Sequence, residues 1–173
     1  MAILPIRIYP EPVLRVKCRP VTEVDDKLRK LAADMVETMH AAPGVGLAAP
    51  QVGVDLRLAV VDVTVGEDPS QVRVLINPEV EHREGLETDV EGCLSLPGIT
   101  DKVDRPAFVR LRTMNLEGET VRLEAEGFLA RALCHEVDHL DGILFTDHLR
   151  GLRKERARRQ LKRLAAEREE VLV

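Results

Sequence analysis

The sequence predicts an α+β protein in which largely antiparallel sheets pack around a central helix, with further helices near the N-terminus and the C-terminus. Several short segments rich in Val and Leu are separated by turn signals, which is typical of strands. These strand candidates are 57–62, 72–77, 107–113 and 120–125. Because few helices stand between them, neighbouring strands should pair in antiparallel fashion. At 173 residues the chain fits one domain, 1–173, that is large enough to bury a core.

Three helices are predicted from apolar periodicity and end signals. The first follows Asp25, a residue suited to the N-cap, and ends at the Pro-Gly pair 43–44. Its apolar face comprises Leu28, Leu31, Ala32, Met35, Val36 and Met39. The second helix, which is the central one, covers 127–140, and Gly142 is placed to terminate it. The third covers 152–170.

Composition excludes several classes of protein. Hydrophobic residues make up 45% and charged residues 32%, as in ordinary globular proteins. With 2% aromatic residues and no Trp, stacking of nucleic-acid bases on aromatic side chains is disfavoured, and we expect no direct DNA binding. Residues 1–12 are broken by prolines and hold no long apolar run, so neither a signal peptide nor a membrane span is expected. We therefore expect a cytoplasmic protein.

The strongest chemical signal is the sequence HEVDH at 135–139. On a helix, positions i and i+4 share a face, so His135 and His139 can reach one cation. Glu136 is placed to reach a water molecule on that cation, and this is the HExxH pattern of metal-dependent hydrolases. Two histidines and a glutamate can also share an ordinary helix by chance. A catalytic site further needs a third protein ligand and an open position for water.

Two protease routes to the third ligand fit the sequence poorly. In the extended pattern HExxHxxGxxH, Gly142 falls on the Gly position, but Phe145 stands where the third His belongs. A phenylalanine cannot bind a metal. The other route takes a Glu from a later helix, and the downstream Glu residues begin at Glu155, inside a basic segment. An HExxH endopeptidase therefore remains an alternative that lacks one ligand.

The three cysteines are the remaining candidates for the third ligand. An odd number in a chain without an export signal favours free thiols or a metal ligand over a disulfide framework. Cys134 points about 100° around the helix from the ligand face, and Cys18 lies in no motif. We interpret both as packing residues. Cys93 follows Gly92, which permits a tight turn that can present a thiolate.

Three segments together resemble the sequence motifs of the peptide deformylase family. They are GVGLAAPQ at 44–51, EGCLS at 91–95 and HEVDH at 135–139. They occur in the order of that family and with similar separations, and the resemblance runs along most of the chain. The C-terminal extension resembles the helical tail of the bacterial type.

The resemblance implies an enzyme that removes the formyl group from N-formylmethionine at the start of new polypeptides, so that N-formylmethionyl nascent chains are its substrates. Cys93, His135 and His139 would bind one divalent cation, which acidifies a water molecule and polarises the formyl oxygen. Glu136 would accept the water proton and pass it to the leaving nitrogen. Fe(II) is the implied metal, with Zn(II), Ni(II) or Co(II) as replacements. The ligand set by itself suits zinc equally well.

The other two motifs imply oxyanion donors and substrate contacts. Gln51 resembles the side-chain amide donor of the family, and the backbone N–H of Leu94 is similarly placed. The substrate-binding candidates are Gly44, Val45, Gly46, Glu91, Phe128, Arg131 and Ala132. Small Ala132 leaves room for an unbranched methionine side chain. We expect the stem of Arg131 to line the wall of the pocket while its guanidinium reaches water.

Each of the three motifs also holds a residue with a supporting role. Gly44 and Gly46 would let the loop backbone approach an extended substrate chain. Glu91 is suited to bracing its loop or to orienting a metal ligand. Asp138 lies off the ligand face, and we expect it to be structural and to pair with Arg105.

The C-terminal segment 152–170 carries eight Lys or Arg residues against four Asp or Glu, whereas the whole chain has a net charge of −5. A solvated helix is the usual explanation of such a pattern. The family resemblance implies instead that this basic helix docks near the exit of the ribosome. A non-catalytic ribosome-binding protein with a structural metal is a second alternative to the enzyme, but the acidic body and the scarcity of aromatic residues disfavour it.

Overall fold

The structure, a computed structural model, describes residues 2–172 and has the α+β architecture that the sequence predicts. The helices are α1 (Asp26–Ala41), α2 (Gly127–Leu140) and α3 (Gly151–Leu172). The strands are β1 (Gly46–Ala48), β2 (Leu58–Val61), β3 (Arg73–Glu84), β4 (Glu87–Cys93), β5 (Leu96–Arg105), β6 (Phe108–Met114) and β7 (Thr120–Glu126). Within the described part of the chain, every helix is too short or too polar to span a membrane.

The strands form two separate antiparallel sheets. Five of them pair in the order β1-β2-β3-β6-β7, whereas β4 and β5 form a hairpin of their own. The hairpin pairs regularly as far as Gly92, and its register shifts before Cys93, which stands opposite Leu96. Because of this irregularity the end of β4 leaves the regular ladder, and such a register shift changes the direction in which a side chain, here that of Cys93, points.

Helix α1 begins where the sequence predicts. The side chain of Asp25 accepts a hydrogen bond from the N–H of Leu28 at 2.9 Å, which satisfies one of the donors that the first turn leaves free. The buried face of the helix comprises Leu28, Ala32, Met35 and Met39. These residues pack with β1 and β2. The helix ends at Ala41, just before the Pro-Gly pair 43–44.

Helix α2 has the predicted bounds and is the central element of the fold. It lies against the five-stranded sheet, contacting β1, β2, β3, β6 and β7. Ala130, Leu133 and Leu140 belong to the apolar cluster between the helix and that sheet. Cys18 and Cys134 are buried in the same cluster, as expected of packing residues. The helix that carries the HExxH residues is therefore held on a rigid support.

Helix α3 packs against strand β5 of the hairpin. Ala157 and Leu164 are buried in an apolar cluster with Leu96 and Ile99 of β5. The observed helix, Gly151–Leu172, begins one residue earlier and ends two residues later than predicted. Because its polar face is broad, most of its charged side chains remain exposed.

Strands β1, β4 and β5 have no counterpart among the predicted strands. β1 has only three residues, which is too few for a period to be recognised. In β4, most side chains are exposed and charged residues alternate with small ones, so no apolar alternation marks it. The same reason applies to β3, which extends to Glu84, well beyond the predicted range 72–77, through a largely solvated half.

Gly142 provides a test of the turn that follows α2. Its φ is +74°, and a Cβ at this position would stand 2.6 Å from the carbonyl oxygen of Arg15. Because Gly142→Ala combines left-handed strain with a clash against backbone, it should lower the free energy of unfolding by more than about 2 kcal/mol. Gly118→Ala is the control, since Gly118 has a φ of +80° in open space. It should cost about 1 kcal/mol from strain alone. Urea unfolding measures both, and equal losses would contradict the argument.

Candidate metal centre

One sulfur and two ring nitrogens converge where the hairpin meets α2. Cys93 ends β4, and His135 and His139 stand one turn apart on the helix. The ligand atoms of the three residues all lie within 4.8 Å of one another. The two histidine Nε2 atoms are 3.1 Å apart, and the Cys93 Sγ is 3.3 Å from the His139 Nε2. The structure thus brings together the three side chains that the sequence singles out.

This donor set suits a divalent cation. Around a tetrahedral zinc ion with bonds of about 2.0–2.3 Å, two nitrogens are separated by about 3.4 Å, and a nitrogen and a sulfur by about 3.6 Å. The separations of 3.1 and 3.3 Å at His139 are close to these values. Three protein ligands leave one corner of the tetrahedron for water or substrate, as in catalytic rather than structural sites.

Glu91 fixes the orientation of the His135 ring. Its Oε1 is 2.9 Å from the His135 Nδ1, so a proton on Nδ1 is donated to Glu91 and the Nε2 lone pair faces Cys93 and His139. Glu91 also accepts hydrogen bonds from the Nε of Arg105 at 2.7 Å and from its Nη2 at 2.9 Å. Although burial opposes ionisation, the hydrogen bonds from Arg105 and His135 hold the pKa of Glu91 well below its usual range.

Glu136 presents an unpaired carboxylate to the same place. The residue is 3% exposed, and its Oε1 has no hydrogen-bond partner among the described residues. Burial raises the pKa of its carboxyl group to about 7. A group with such a pKa both accepts and releases a proton near neutrality, as a general base and acid must. Gly46 makes room for it, because a Cβ there would overlap the Glu136 Oε2.

Gln51 is held with its amide N–H groups toward Cys93. The residue is 1% exposed, and its Oε1 accepts a hydrogen bond from the N–H of Ala48 at 2.9 Å. The Nε2 atom therefore faces the other way, 3.1 Å from the Ser95 Oγ and 3.5 Å from the Cys93 Sγ. An amide donor fixed in this way fits the expected oxyanion role. Leu94, whose N–H is the second expected donor, directly follows Cys93, and both Leu94 and Gln51 line the cavity beside the site.

A cavity of about 450 Å³ adjoins these groups. All seven predicted substrate-binding residues line it: Gly44, Val45, Gly46, Glu91, Phe128, Arg131 and Ala132. Phe128 is 53% exposed, whereas Ala132 is buried, so the two residues mark the rim and the inner wall. Sequence reasoning missed the wall at 98–100 on β5, because nothing marked that segment as a strand. It also gave no role to Ser95, although this residue is part of the second motif.

The guanidinium of Arg131 does not reach water, and that prediction was wrong. The residue is 4% exposed. Its Nη1 donates to the Glu91 Oε2 and to the carbonyl oxygen of Val103, both at 2.8 Å, and its Nη2 donates to the carbonyl oxygen of Glu87 at 2.9 Å. The prediction treated the guanidinium as a solvated charge. A hairpin that supplies a buried carboxylate and two carbonyl groups cannot be seen in the local sequence.

Asp138 lies next to the site and forms the structural pair that the sequence suggests. The Nη1 of Arg105 lies 2.6 Å from the Oδ2 of Asp138, so the expected structural pair is present. The Nε2 of His148 lies 2.7 Å from the same oxygen. Phe145, which occupies the position of the third histidine in the protease pattern, is buried, and its ring stacks 6.2 Å from the ring of His135.

A thiol and the two imidazoles of an HExxH helix converge beside an unpaired carboxylate and a cavity, and this arrangement is typical of metal-dependent hydrolases. The sequence model of the family described as polypeptide deformylase matches residues 3–155, and the chain belongs to this family.

Named relatives agree with this assignment. The chain is 51% identical to the peptide deformylase of Alkalilimnicola ehrlichii over 164 residues, which cover 95% of this chain and 92% of that protein. It is similar to the crystal structure of the peptide deformylase from Thermus thermophilus, with a TM-score of 0.87, 45% identity and coverage of 95% and 99% of the two chains. The crystal structure of a peptide deformylase from Legionella pneumophila gives a TM-score of 0.88 at 40% identity, covering 97% and 98%.

Gly46→Ala tests whether the position of Glu136 matters. Gly46 does not have a positive φ, so the added methyl group acts through its overlap with the carboxylate and not through backbone strain. Displacement of a catalytic group by about 1 Å costs roughly 100-fold in rate, and we expect a loss of that order in the deformylation of a formyl-Met peptide. Gly44→Ala is the control for crowding of the substrate, since Gly44 lies in the same loop but its added methyl group meets the movable end of the Leu94 side chain at 2.9 Å and not Glu136, and its loss should be much smaller. Steady-state kinetics compare the variants, and equal losses would count against the argument.

Proposed function

We propose that the chain removes the formyl group from N-formylmethionine at the start of newly made polypeptides and releases formate. As a member of the peptide deformylase family it is an enzyme. The observation that supports this activity best is the approach of the Cys93 sulfur to the histidines of the HExxH helix. This thiol supplies the third ligand that the protease routes do not provide.

The two alternative functions are disfavoured by the same residues. An endopeptidase would need a ligand downstream of the motif, but Phe145 is a buried apolar ring and Glu155 is exposed on α3. A ribosome-binding protein with a structural metal would have a closed site. Here the unpaired carboxylate of Glu136 adjoins a cavity large enough for part of a substrate.

The reaction needs a polarised formyl group, an activated water molecule and a proton for the leaving amine. A divalent cation held by Cys93, His135 and His139 supplies Lewis-acid polarisation and acidifies water. Glu136 accepts the proton of the attacking water and delivers it to the departing nitrogen. Because burial raises the pKa of Glu136 to about 7, its carboxyl group can be found in either protonation state near neutral pH, as a group that acts first as base and then as acid requires.

Negative charge that develops on the formyl oxygen is stabilised by the Gln51 amide and by the N–H of Leu94. Ala48 and Ser95 hold the Gln51 amide in place through hydrogen bonds at 2.9 and 3.1 Å. The donor is therefore oriented before the substrate arrives, and little reorganisation accompanies the reaction.

The substrate chain binds in an extended form beside β1. This strand lies at the edge of the five-stranded sheet, so the backbone at 44–46 can pair with a peptide. Val45, Phe128 and Ala132 line the cavity and provide apolar walls for an unbranched methionine side chain.

The family is metal-dependent, and we propose Fe(II) as the metal in the cell. A thiolate with two imidazoles also accepts Zn(II), Ni(II) or Co(II), and availability decides among them as much as affinity does. An Fe(II)–thiolate centre should be sensitive to oxygen. We further propose that the chain acts as one domain, 1–173, in the cytoplasm, where formylated nascent chains are made.

Anaerobically purified protein should convert a formyl-Met peptide to formate and a free amine. Cys93→Ala should lose the activity together with the metal, because a ligand is removed. Glu136→Ala should lose at least about 100-fold in rate and keep the metal, because proton transfer is lost. Cys134→Ala is the matched control, since this thiol belongs to the apolar core cluster and not to the ligand group or the cavity wall, and it should retain activity.

Formate release and metal content measured on the same samples separate the alternatives. Cleavage of internal peptide bonds alone would support the endopeptidase. Absence of turnover with each of the four metals would support the binding protein.

We also propose that the basic face of α3 docks on the ribosome, where nascent chains emerge. Lys154, Arg159 and Lys162 are exposed and form no salt bridge within residues 2–172. They can contact phosphate groups of RNA. Ala157 and Leu164 on the opposite face are part of the core, so deletion of the helix would also remove packing from β5.

Charge reversal therefore tests docking better than truncation does. The double variant Arg159→Glu/Lys162→Glu should bind ribosomes at least about 10-fold more weakly at low salt, since two cationic contacts become repulsive. Cosedimentation at several salt concentrations measures the effect. Arg159→Lys/Lys162→Arg keeps the charge and is the control, and matching thermal unfolding curves show that the fold is intact. Unchanged ribosome binding by the charge-reversed protein would exclude this role for α3.

A further inference from the structure

The position of Cys93 relative to the two histidines is not fixed by sheet hydrogen bonds. Cys93 belongs to the β4–β5 hairpin, and His135 and His139 belong to α2, which packs on the other sheet. Among the described strands, no ladder joins the hairpin to the five-stranded sheet. Side chains that cross from the hairpin to the helix therefore contribute to the distance between the sulfur and the ring nitrogens.

Arg131 makes such a crossing. It stands on α2 one turn before His135, and its guanidinium is turned toward the hairpin. It donates to the carbonyl oxygen of Glu87 on β4 at 2.9 Å and to that of Val103 on β5 at 2.8 Å. It also donates to the Glu91 Oε2 at 2.8 Å, and the other oxygen of that carboxylate orients the His135 ring. One planar group thus ties both strands and the carboxylate to the helix.

Arg131 also balances the charge of a buried cluster. Glu91 and Asp138 supply two negative charges, and Arg105 and Arg131 supply two positive ones. His148 also faces the cluster, with its Nε2 2.7 Å from the Oδ2 of Asp138. Without Arg131 the cluster would keep an excess negative charge in a buried place, and three acceptors would lose a donor.

We propose that Arg131 is a positioning residue of the metal centre. It holds β4, and with it Cys93, at the distance from the histidines of α2 at which all three side chains can bind one cation. The inference rests on the proposed metal site and deepens it. The guanidinium of Arg131 is fully engaged by acceptors of the hairpin, so that only the stem of its side chain is left to contribute to the cavity wall. A lysine is not equivalent, because a single ammonium group cannot reach two strands and a carboxylate in one plane.

Metal affinity tests the proposal without a need for activity. Metal-free protein is titrated anaerobically with Co(II) against a chromophoric chelator, and the thiolate-to-cobalt absorption band reports coordination by Cys93. Loss of a residue that supports metal ligands typically weakens binding by about 10–100-fold. We expect Arg131→Met to raise the Kd for Co(II) by that factor and to weaken the thiolate band. Arg131→Lys should fall between Arg131→Met and the unsubstituted protein.

Arg57→Met is the matched control. Arg57 also ties α2, donating to the carbonyl oxygen of Leu140 at 2.9 Å and pairing with Asp141 at 2.9 Å, but neither contact involves the hairpin. Its loss should lower thermal stability and leave the Kd for Co(II) unchanged. Equal weakening of Co(II) binding by Arg57→Met would show a general effect of helix stability and would overturn the proposal.

Hydrogen exchange of the metal-free protein gives a second measurement. The amides of 87–93 should exchange at least about 10-fold faster in Arg131→Met than in Arg57→Met, because the hairpin is released. Unchanged Co(II) affinity in Arg131→Met, or full recovery by Arg131→Lys, would overturn the inference. If Arg131→Met does not fold, the Lys variant carries the test, with an expected Kd about 10-fold above that of the unsubstituted protein. Failure of the unsubstituted protein to bind Co(II) through Cys93 would instead refute the metal site itself.

Discussion

The carboxylate of Glu91 joins two parts of the molecule that are built separately. One oxygen lies 2.9 Å from the His135 ring on α2, and the other accepts hydrogen bonds from Arg105 of the hairpin and Arg131 of the helix. A charge buried this deeply is tolerated only when it is fully paired, so the partners must keep their places. The same contacts that neutralise Glu91 therefore bring Cys93, two residues further along the strand, to the face of α2.

Two glutamates near this centre have opposite environments, and we propose opposite roles for them. Glu91 is paired on every side, and hydrogen bonds from Arg105 and His135 outweigh burial and keep its pKa low. Glu136 is buried without a hydrogen-bond partner for its Oε1 within the described chain, and burial raises its pKa to about 7. Environment rather than residue type thus suits one carboxylate to orientation of the His135 ring and the other to the proton transfer that we propose. The carboxylate of Glu136 has space because Gly46 has no side chain.

Much of the fold follows from the local sequence. Helix α2 has the predicted bounds, and the Asp25 cap and the apolar face of α1 are found as predicted, since period and capping are local properties. The hairpin of β4 and β5 was missed, because its exposed side chains show no apolar alternation. It is stabilised by contacts with α2 and α3 that are distant in sequence. The error at Arg131 has the same origin, since its partners lie 28 to 44 residues away.

The sequence by itself determined which chemistry the chain can perform. The spacing of His135 and His139 places both rings on one face of a helix, and three motifs in order assign the family before any coordinate is known. Only the tertiary structure decided how Cys93 reaches those rings and which groups hold it there. The proposed ligand Cys93 stands 42 residues before His135, and its approach depends on how a hairpin docks on a helix. Buried charges whose partners are set by the fold as a whole contribute to that docking.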